Sequence, residues 1–153
     1  MARRPVANTD WLSNTDTGIN AAILGGWTAG ARIKVVVANP GSMFATHHYA
    51  GGNLPLILGI GLGGGVGTSG MLLAGFYAGT HHYADSVVAP KIGTWEHVVG
   101  SWDGTTLKIF IDGKLIATNV PGIANATTSE PFKIGTRWDT NGSPYFFDGA
   151  IQD

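Results

Sequence analysis

Apolar and polar residues alternate with period two over two successive runs, Trp95–Trp102 and Leu107–Ile111, and each run is followed by Asp-Gly. Such alternation marks strands with one buried face. Asp-Gly tolerates the positive φ of a tight hairpin turn. The pattern therefore predicts a three-strand meander, Trp95–Trp102, Leu107–Ile111 and Lys114–Ala117, closed by two tight turns. Leu107, Ile109 and Ile111 should face the core, and Lys108 and Phe110 the other side. A slip of one residue would push Lys108 inward, so the register is strongly specified.

The same reading gives strands at Ala31–Ala38, with Ile33, Val35 and Val37 on one face and Lys34 and Val36 on the other, at Met43–Tyr49, at Phe132–Arg137, and over Tyr145–Gln152. Residues 5–20 read as polar and turn-rich, and 118–131 as a loop around Pro121-Gly122. Trp138–Pro144 reads as a polar loop with an aromatic lead.

The middle of the chain breaks the pattern. Between Lys34 and Asp85 there is no Asp, Glu, Lys or Arg, and Leu54–Gly79 is long enough to cross a bilayer as a helix. Glycine rules the helix out, because that span holds nine glycines, and each costs a helix ~1 kcal/mol. Two strands, Leu54–Leu62 and Met71–Ala78, joined by a flexible glycine-rich loop, fit better. Neither strand alternates, so both faces are expected to be covered, with a neighbouring subunit as one source of cover. A short repeat flanks them: Thr46-His47-His48-Tyr49-Ala50 recurs as Thr80-His81-His82-Tyr83-Ala84. In a sandwich the two copies are expected near each other at one rim.

Several motifs carry a family resemblance. Trp95-Glu96-His97-Val98-Val99, Trp102-Asp103-Gly104-Thr105-Thr106-Leu107 and Phe110-Ile111-Asp112-Gly113-Lys114-Leu115 resemble the laminin-G-like, concanavalin-A-like lectin family. Phe132-Lys133-Ile134-Gly135 and Phe147-Asp148-Gly149-Ala150-Ile151-Gln152-Asp153 resemble two later strands of that family in order and spacing. Asp10-Trp11-Leu12 loosely resembles its first strand. The resemblance implies an all-β, two-sheet antiparallel jelly-roll sandwich, a single domain over residues 1–153, with His97 at a core position. The family usually continues with one more apolar stretch, so the last strand reads as short or incomplete at the C-terminus.

Composition narrows the functional classes. At 153 residues and 44% hydrophobic, the chain can bury a sizeable core. Only 12% of residues are charged, which favours association with other chains. A net charge of -1 argues against nucleic acid as a partner. Cysteine is absent, so there are no disulfides or thiolate metal sites. Met1-Ala2-Arg3-Arg4-Pro5 starts like a signal peptide, but Asn8, Thr9 and Asp10 follow where an apolar core is needed, so none is expected. The sequons Asn125-Ala126-Thr127 and Asn141-Gly142-Ser143 then read as chance matches.

Catalytic chemistry is sparse. Glycoside hydrolysis needs two carboxylates flanking the sugar bond. The chain has only Glu96 and Glu130 as glutamates, and Asp103 and Asp112 read as turn residues, so no enzyme is expected. The glycine run lacks the Lys-Ser/Thr end of a phosphate loop. Each His-His pair offers one ligand per strand face, too few for a metal site. No cofactor is expected. Calcium is the one ion the resemblance admits, with Asp139 and Asn141 as oxygen donors. For a sugar, the best local set is Trp138 with Asp139, Asn141 and Tyr145: an aromatic ring for stacking beside groups that bind hydroxyls. Trp11 and Trp27 are weaker candidates, and the competing reading has Trp138 covering a sheet edge. The expectation is a non-catalytic structural or binding module with no membrane span. Its expected setting is the surface of a bacteriophage virion, as a tail or capsid-decoration protein assembled in the host cytoplasm. Its partners there would be other virion proteins, copies of itself and host glycans. The alternatives are an extracellular carbohydrate-binding adhesion module and a glycan-processing enzyme.

Overall fold

A computed structural model describes residues 12–14, 25–47, 53–126, 132–138 and 144–152. In chain order the strands are β1 (Leu12–Asn14), β2 (Trp27–Val37), β3 (Met43–His47), β4 (Leu54–Ile60), β5 (Leu72–Tyr77), β6 (His81–Asp85) and β7 (Trp95–Trp102). They continue as β8 (Leu107–Ile111), β9 (Lys114–Asn119), β10 (Phe132–Ile134), β11 (Thr136–Trp138), β12 (Pro144–Phe146) and β13 (Asp148–Gln152). A six-stranded sheet runs β1-β10-β3-β4-β5-β6, a five-stranded sheet runs β13-β2-β7-β8-β9, and β11 pairs with β12 as a separate ribbon. All pairings are antiparallel, so the all-β sandwich expected from the sequence is the fold observed.

The meander forms as its alternation requires. Leu107, Ile109 and Ile111 are buried, while Lys108 and Phe110 are half-exposed. Asp112 (φ 50°) and Gly113 (φ 77°) make a two-residue turn between the paired Ile111 and Lys114. The other Asp-Gly differs from expectation. Trp102 pairs with Leu107 across a four-residue loop, and there only Gly104 takes a positive φ, 90°. Asp103 shapes that loop through its side chain, whose Oδ1 accepts the backbone N–H of Thr105 at 3.1 Å and of Thr106 at 2.8 Å.

The two sheets close on a core drawn from both. Ile33, Val35, Val98, Trp102, Leu107 and Ile109 meet Phe44, Leu56, Leu58, Ile60, Ala74 and Phe76. Gly100 marks a close approach, since a Cβ there would lie 2.6 Å from Ala74 Cβ and 3.0 Å from Leu58 Cδ1. Beside it, Phe76 and Trp102 meet edge to face with ring centroids 5.1 Å apart. Asn119 ties the two sheet edges together by donating from Nδ2 to the carbonyl of Tyr83 at 2.8 Å.

The uncharged span is explained within the chain itself. All seven residues of β4 and five of the six in β5 are buried. One face joins the main core. The other carries a second cluster, Met43, Leu54, Ile57 and Leu73, with Tyr77 and Tyr83 packed against it. Both faces are thus covered without a neighbouring subunit. Pro55, which has no N–H for the ladder, sits at a bulge between Leu54 and Ile57, and Asn125 Nδ2 reaches its carbonyl at 2.9 Å. Asn125 is 5% exposed with that amide engaged, so its sequon is closed to modification in the folded chain.

Other expectations are corrected. The glycine-rich loop is a hydrogen-bonded hairpin end rather than a loose connection. Gly61 N–H bonds Met71 O at 2.8 Å, Gly70 N–H bonds Gly61 O at 2.9 Å, and Asp85 Oδ2 accepts the N–H of Thr68. Val37 is 46% exposed, because the strand pairing shifts between Asp148 and Gly149 opposite it. The expected single strand Phe132–Arg137 breaks at Gly135 (φ 85°), whose carbonyl accepts the N–H of Phe147 at 2.9 Å. The expected strand Tyr145–Gln152 breaks at Phe147 itself, whose ring packs edge-on to Phe44 at 5.7 Å. The chain therefore leaves both sheets as a two-strand ribbon, which stays tied to the sandwich where Ser42 Oγ donates to the carbonyl of Phe146 at 2.9 Å, and returns as β13. Of the two repeat copies, the described Thr46 and His47 lie on β3 and His81–Ala84 on β6, with β4 and β5 between these strands, and His48–Ala50 lie outside the described residues. Three strand spacings put β3 and β6 ~14 Å apart.

Ile109 is fully buried and Lys108 lies on the open face. Urea unfolding should therefore show Ile109→Ala losing ~2–5 kcal/mol and Lys108→Ala less than ~0.5 kcal/mol. Similar losses from both would contradict the face assignment.

Candidate functional site

The ribbon holds two of the residues singled out for sugar binding. Trp138 lies opposite Pro144, and Tyr145 opposite Arg137. Asp139 and Asn141 lie outside the described residues, as do Trp11, His48 and Glu130. Trp27 is 8% exposed and belongs to the core, so it offers no open ring. His82 packs against Phe76 at 5.2 Å, with Nε2 2.9 Å from Thr80 Oγ1. His81 lies between Tyr77 and Tyr83, at 4.6 and 5.3 Å. Among the described residues no three His, Asp or Glu side chains come together in a metal-holding group. No described helix is long and apolar enough to cross a membrane.

The resemblance put His97 at a core position, and the structure places its neighbour Glu96 there instead. His97 is exposed, and Glu96 is 1% exposed on the core side of β7. Strand alternation forces the choice: Val98, Gly100 and Trp102 point inward, so Glu96 must too. A buried carboxylate needs partners. Glu96 Oε2 accepts the backbone N–H of Lys91 at 2.7 Å, and Oε1 lies 3.6 Å from Lys91 Nζ. Lys91 Nζ also lies 3.9 Å from Asp112 Oδ2, and Asp112 Oδ1 accepts the N–H of His97 at 2.9 Å. The glutamate thus pins the 89–94 loop to the end of the sandwich and is not presented to a ligand.

The open face of the five-stranded sheet, opposite the core, collects the chemistry that the strand-by-strand reading passed over. Register sets its rows. Ala150, Lys34 and Trp95 form one, and Gln152, Arg32 and His97 the next. Gly30, Val99, Phe110 and Leu115 form a third, and Thr28, Ser101, Lys108 and Thr118 a fourth. Arg32 and His97 are exposed, Trp95, Val99 and Phe110 are half-buried, and Leu115 is 47% exposed. The Arg32 guanidinium sits over the Trp95 ring, 5.6 Å from its centroid. The face thus offers aromatic and apolar surface, an amide, an imidazole and cations on rigid strands. The signal was present in the sequence: Trp95, Val99 and Phe110 put apolar groups where an open face would ordinarily carry polar ones.

A family model described as the concanavalin A-like lectin/glucanases superfamily, of laminin-G type, matches residues 8–153. The chain belongs to this superfamily. No curated protein matches it significantly in sequence. Among solved structures, the CBM40 of the Ruminococcus gnavus IT-sialidase bound to α2,3 sialyllactose superposes with TM-score 0.72 at 16% identity, over 99% of this chain and 88% of that one. Domain 4 of AbnA, a GH43 extracellular arabinanase from Geobacillus stearothermophilus in complex with arabinotriose, gives 0.65 at 14% identity. That match covers 84% of this chain but only 58% of the arabinanase chain. Domains LG4-5 of the mouse laminin α1 chain give 0.61 at 13% identity, over 83% and 33%. At these identities the likeness is one of fold. The superfamily's sandwich is what gives this chain a broad, open sheet face.

Asp103 borders that face and holds Lys108 at 2.9 Å. The Lys108 hydrogen bond, then the N–H groups of Thr106 and Thr105, lower its pKa from 3.8 to about 2. A lowered folded pKa favours the ionised native state, so the contribution is complete above 3.8 and lost as pH falls through about 2. An NMR titration of the Asp103 carboxyl should give a midpoint near 2, and Lys108→Ala should raise it while leaving it below 3.8. An unchanged midpoint in Lys108→Ala would contradict the order of causes.

Proposed function

We propose that the chain is a non-catalytic carbohydrate-binding module whose binding surface is the open face of the five-stranded sheet, centred on Trp95. The carrying observation is the row arrangement: half-exposed Trp95, Val99 and Phe110 beside Arg32, His97 and Gln152. Apolar C–H faces of a sugar suit the first set, and its hydroxyls suit the second. Strand-borne side chains are already ordered, which lowers the entropic cost of binding. The sialyllactose held by the Ruminococcus gnavus module and the arabinotriose held by the arabinanase domain support a saccharide as the ligand class.

The non-catalytic reading rests on where the described carboxylates are used. Glu96 holds Lys91, Asp103 and Asp112 cap turns, and Asp85 caps the glycine-rich hairpin, which leaves Asp148 on β13 as the one described carboxylate not used in this way. Hydrolysis would need two carboxyl groups facing one sugar bond. A second binding location, the ribbon bearing Trp138 and Tyr145 with Asp139 and Asn141 and an optional calcium ion, follows from the sequence pattern. The biological setting we infer is the surface of a phage particle, in the tail or as capsid decoration, touching host glycans. Low charge content, 12%, motivates it. Capsid and tail genes beside the coding sequence would support that setting, and a secretion operon would favour an extracellular adhesion module.

Binding of the full chain to a glycan array, with and without calcium, separates the two locations. Trp95→Ala should abolish binding while far-UV CD stays unchanged, and Trp138→Ala should leave binding intact. The reverse pattern, or loss on calcium chelation, would move the site to the ribbon. A blank array for the wild type would end the module reading.

A further inference from the structure

We propose that this sheet face selects acidic glycans, sugars bearing carboxylate or sulfate, and that Arg32 and Lys34 read the charge. The inference rests on the glycan-binding reading and narrows its ligand class.

The first ground is charge segregation. The chain as a whole carries a net charge of -1. Yet among the outward strand positions of this sheet only Asp148, at the β13 bulge, is acidic, while Arg32, Lys34, His97 and Lys108 all lie there. The second ground is pairing. Lys91 and Lys108 each meet a carboxylate. Among the described residues Arg32 and Lys34 meet none, so both are open to an acidic group on a ligand. Arg32 and Lys34 are two residues apart on one strand face, which sets them ~7 Å apart. The third ground is proximity. The Arg32 guanidinium carbon lies 5.6 Å from the Trp95 ring centroid. Its N–H fork is therefore beside any sugar on that ring and can take a carboxylate or sulfate through two parallel N–H bonds. Lys34, in the row of Trp95, adds a mobile point charge on the same side.

The test uses the full chain and calorimetry on matched probes. Carboxylate is tested by polygalacturonate against its methyl ester, and by sialyllactose against lactose. Sulfate is tested by dextran sulfate against dextran. The acidic member of at least one pair should bind about tenfold tighter, the scale of one charge-assisted contact, and the advantage should shrink as salt rises. Which pair responds tells carboxylate from sulfate. Arg32→Gln and Lys34→Gln should each remove most of that advantage while keeping residual binding of the neutral partner, and Lys114→Gln, at the distant turn, should change neither. Equal affinity within every pair, with binding still lost in Trp95→Ala, would overturn the charge reading and leave the module reading standing. Failure of every probe, neutral and acidic, would overturn both. Single-stranded DNA binding as tightly as the best acidic glycan would also overturn it, by reducing the face to an unselective cationic patch.

Discussion

The structure turns on the contact between β5 and β7 across the sandwich. Gly100 brings β7 so close to Ala74 and Leu58 that no side chain fits between them, and Phe76 and Trp102 lock edge to face beside it. That contact fixes which way every residue of β7 points. Once Val98, Gly100 and Trp102 are committed inward, Trp95, His97 and Val99 must face out. The open face is therefore a geometric consequence of the core. A slip in the core would turn the whole face over.

The same commitment explains the buried Glu96. Its position is inward by register, and the chain meets the cost by supplying the Lys91 N–H and ammonium. An isolated carboxylate there would be strongly destabilising. The 89–94 loop is thus held against the sandwich end from which Trp95 begins the strand. Through Asp112, the same lysine links the loop to the β8–β9 turn, so the end nearest the aromatic row is braced from two sides.

Much of the fold was legible in the sequence, for reasons that can be named. β7, β8 and β9 alternate cleanly because one face is buried and the other open. β4 and β5 were placed by their glycines and length, but what covers them was not, because a strand buried twice carries no alternation. Breaks at Gly135 and Phe147 escaped notice because changing sheets is a tertiary event that leaves local propensity untouched. His97 was assigned inward from family resemblance, against an alternation that already pointed it out. The candidate site was less legible still. Arg32 and Trp95 are far apart in sequence, and only the pairing of β2 with β7 makes them neighbours. Trp138 and Tyr145 stand out in the sequence as single aromatic residues in a polar stretch, but they lie on the β11–β12 ribbon, which pairs with no strand of that face.

The central claim is that the open five-stranded face is where a glycan binds. Amide chemical-shift mapping during titration with a bound glycan tests it most directly, since it reports every strand at once and needs no mutation. The account predicts shifts concentrated at Arg32, Lys34, Trp95, His97 and Val99, with the six-stranded sheet silent. Shifts confined to Thr136–Phe146, or spread over β5 and β6, would contradict it.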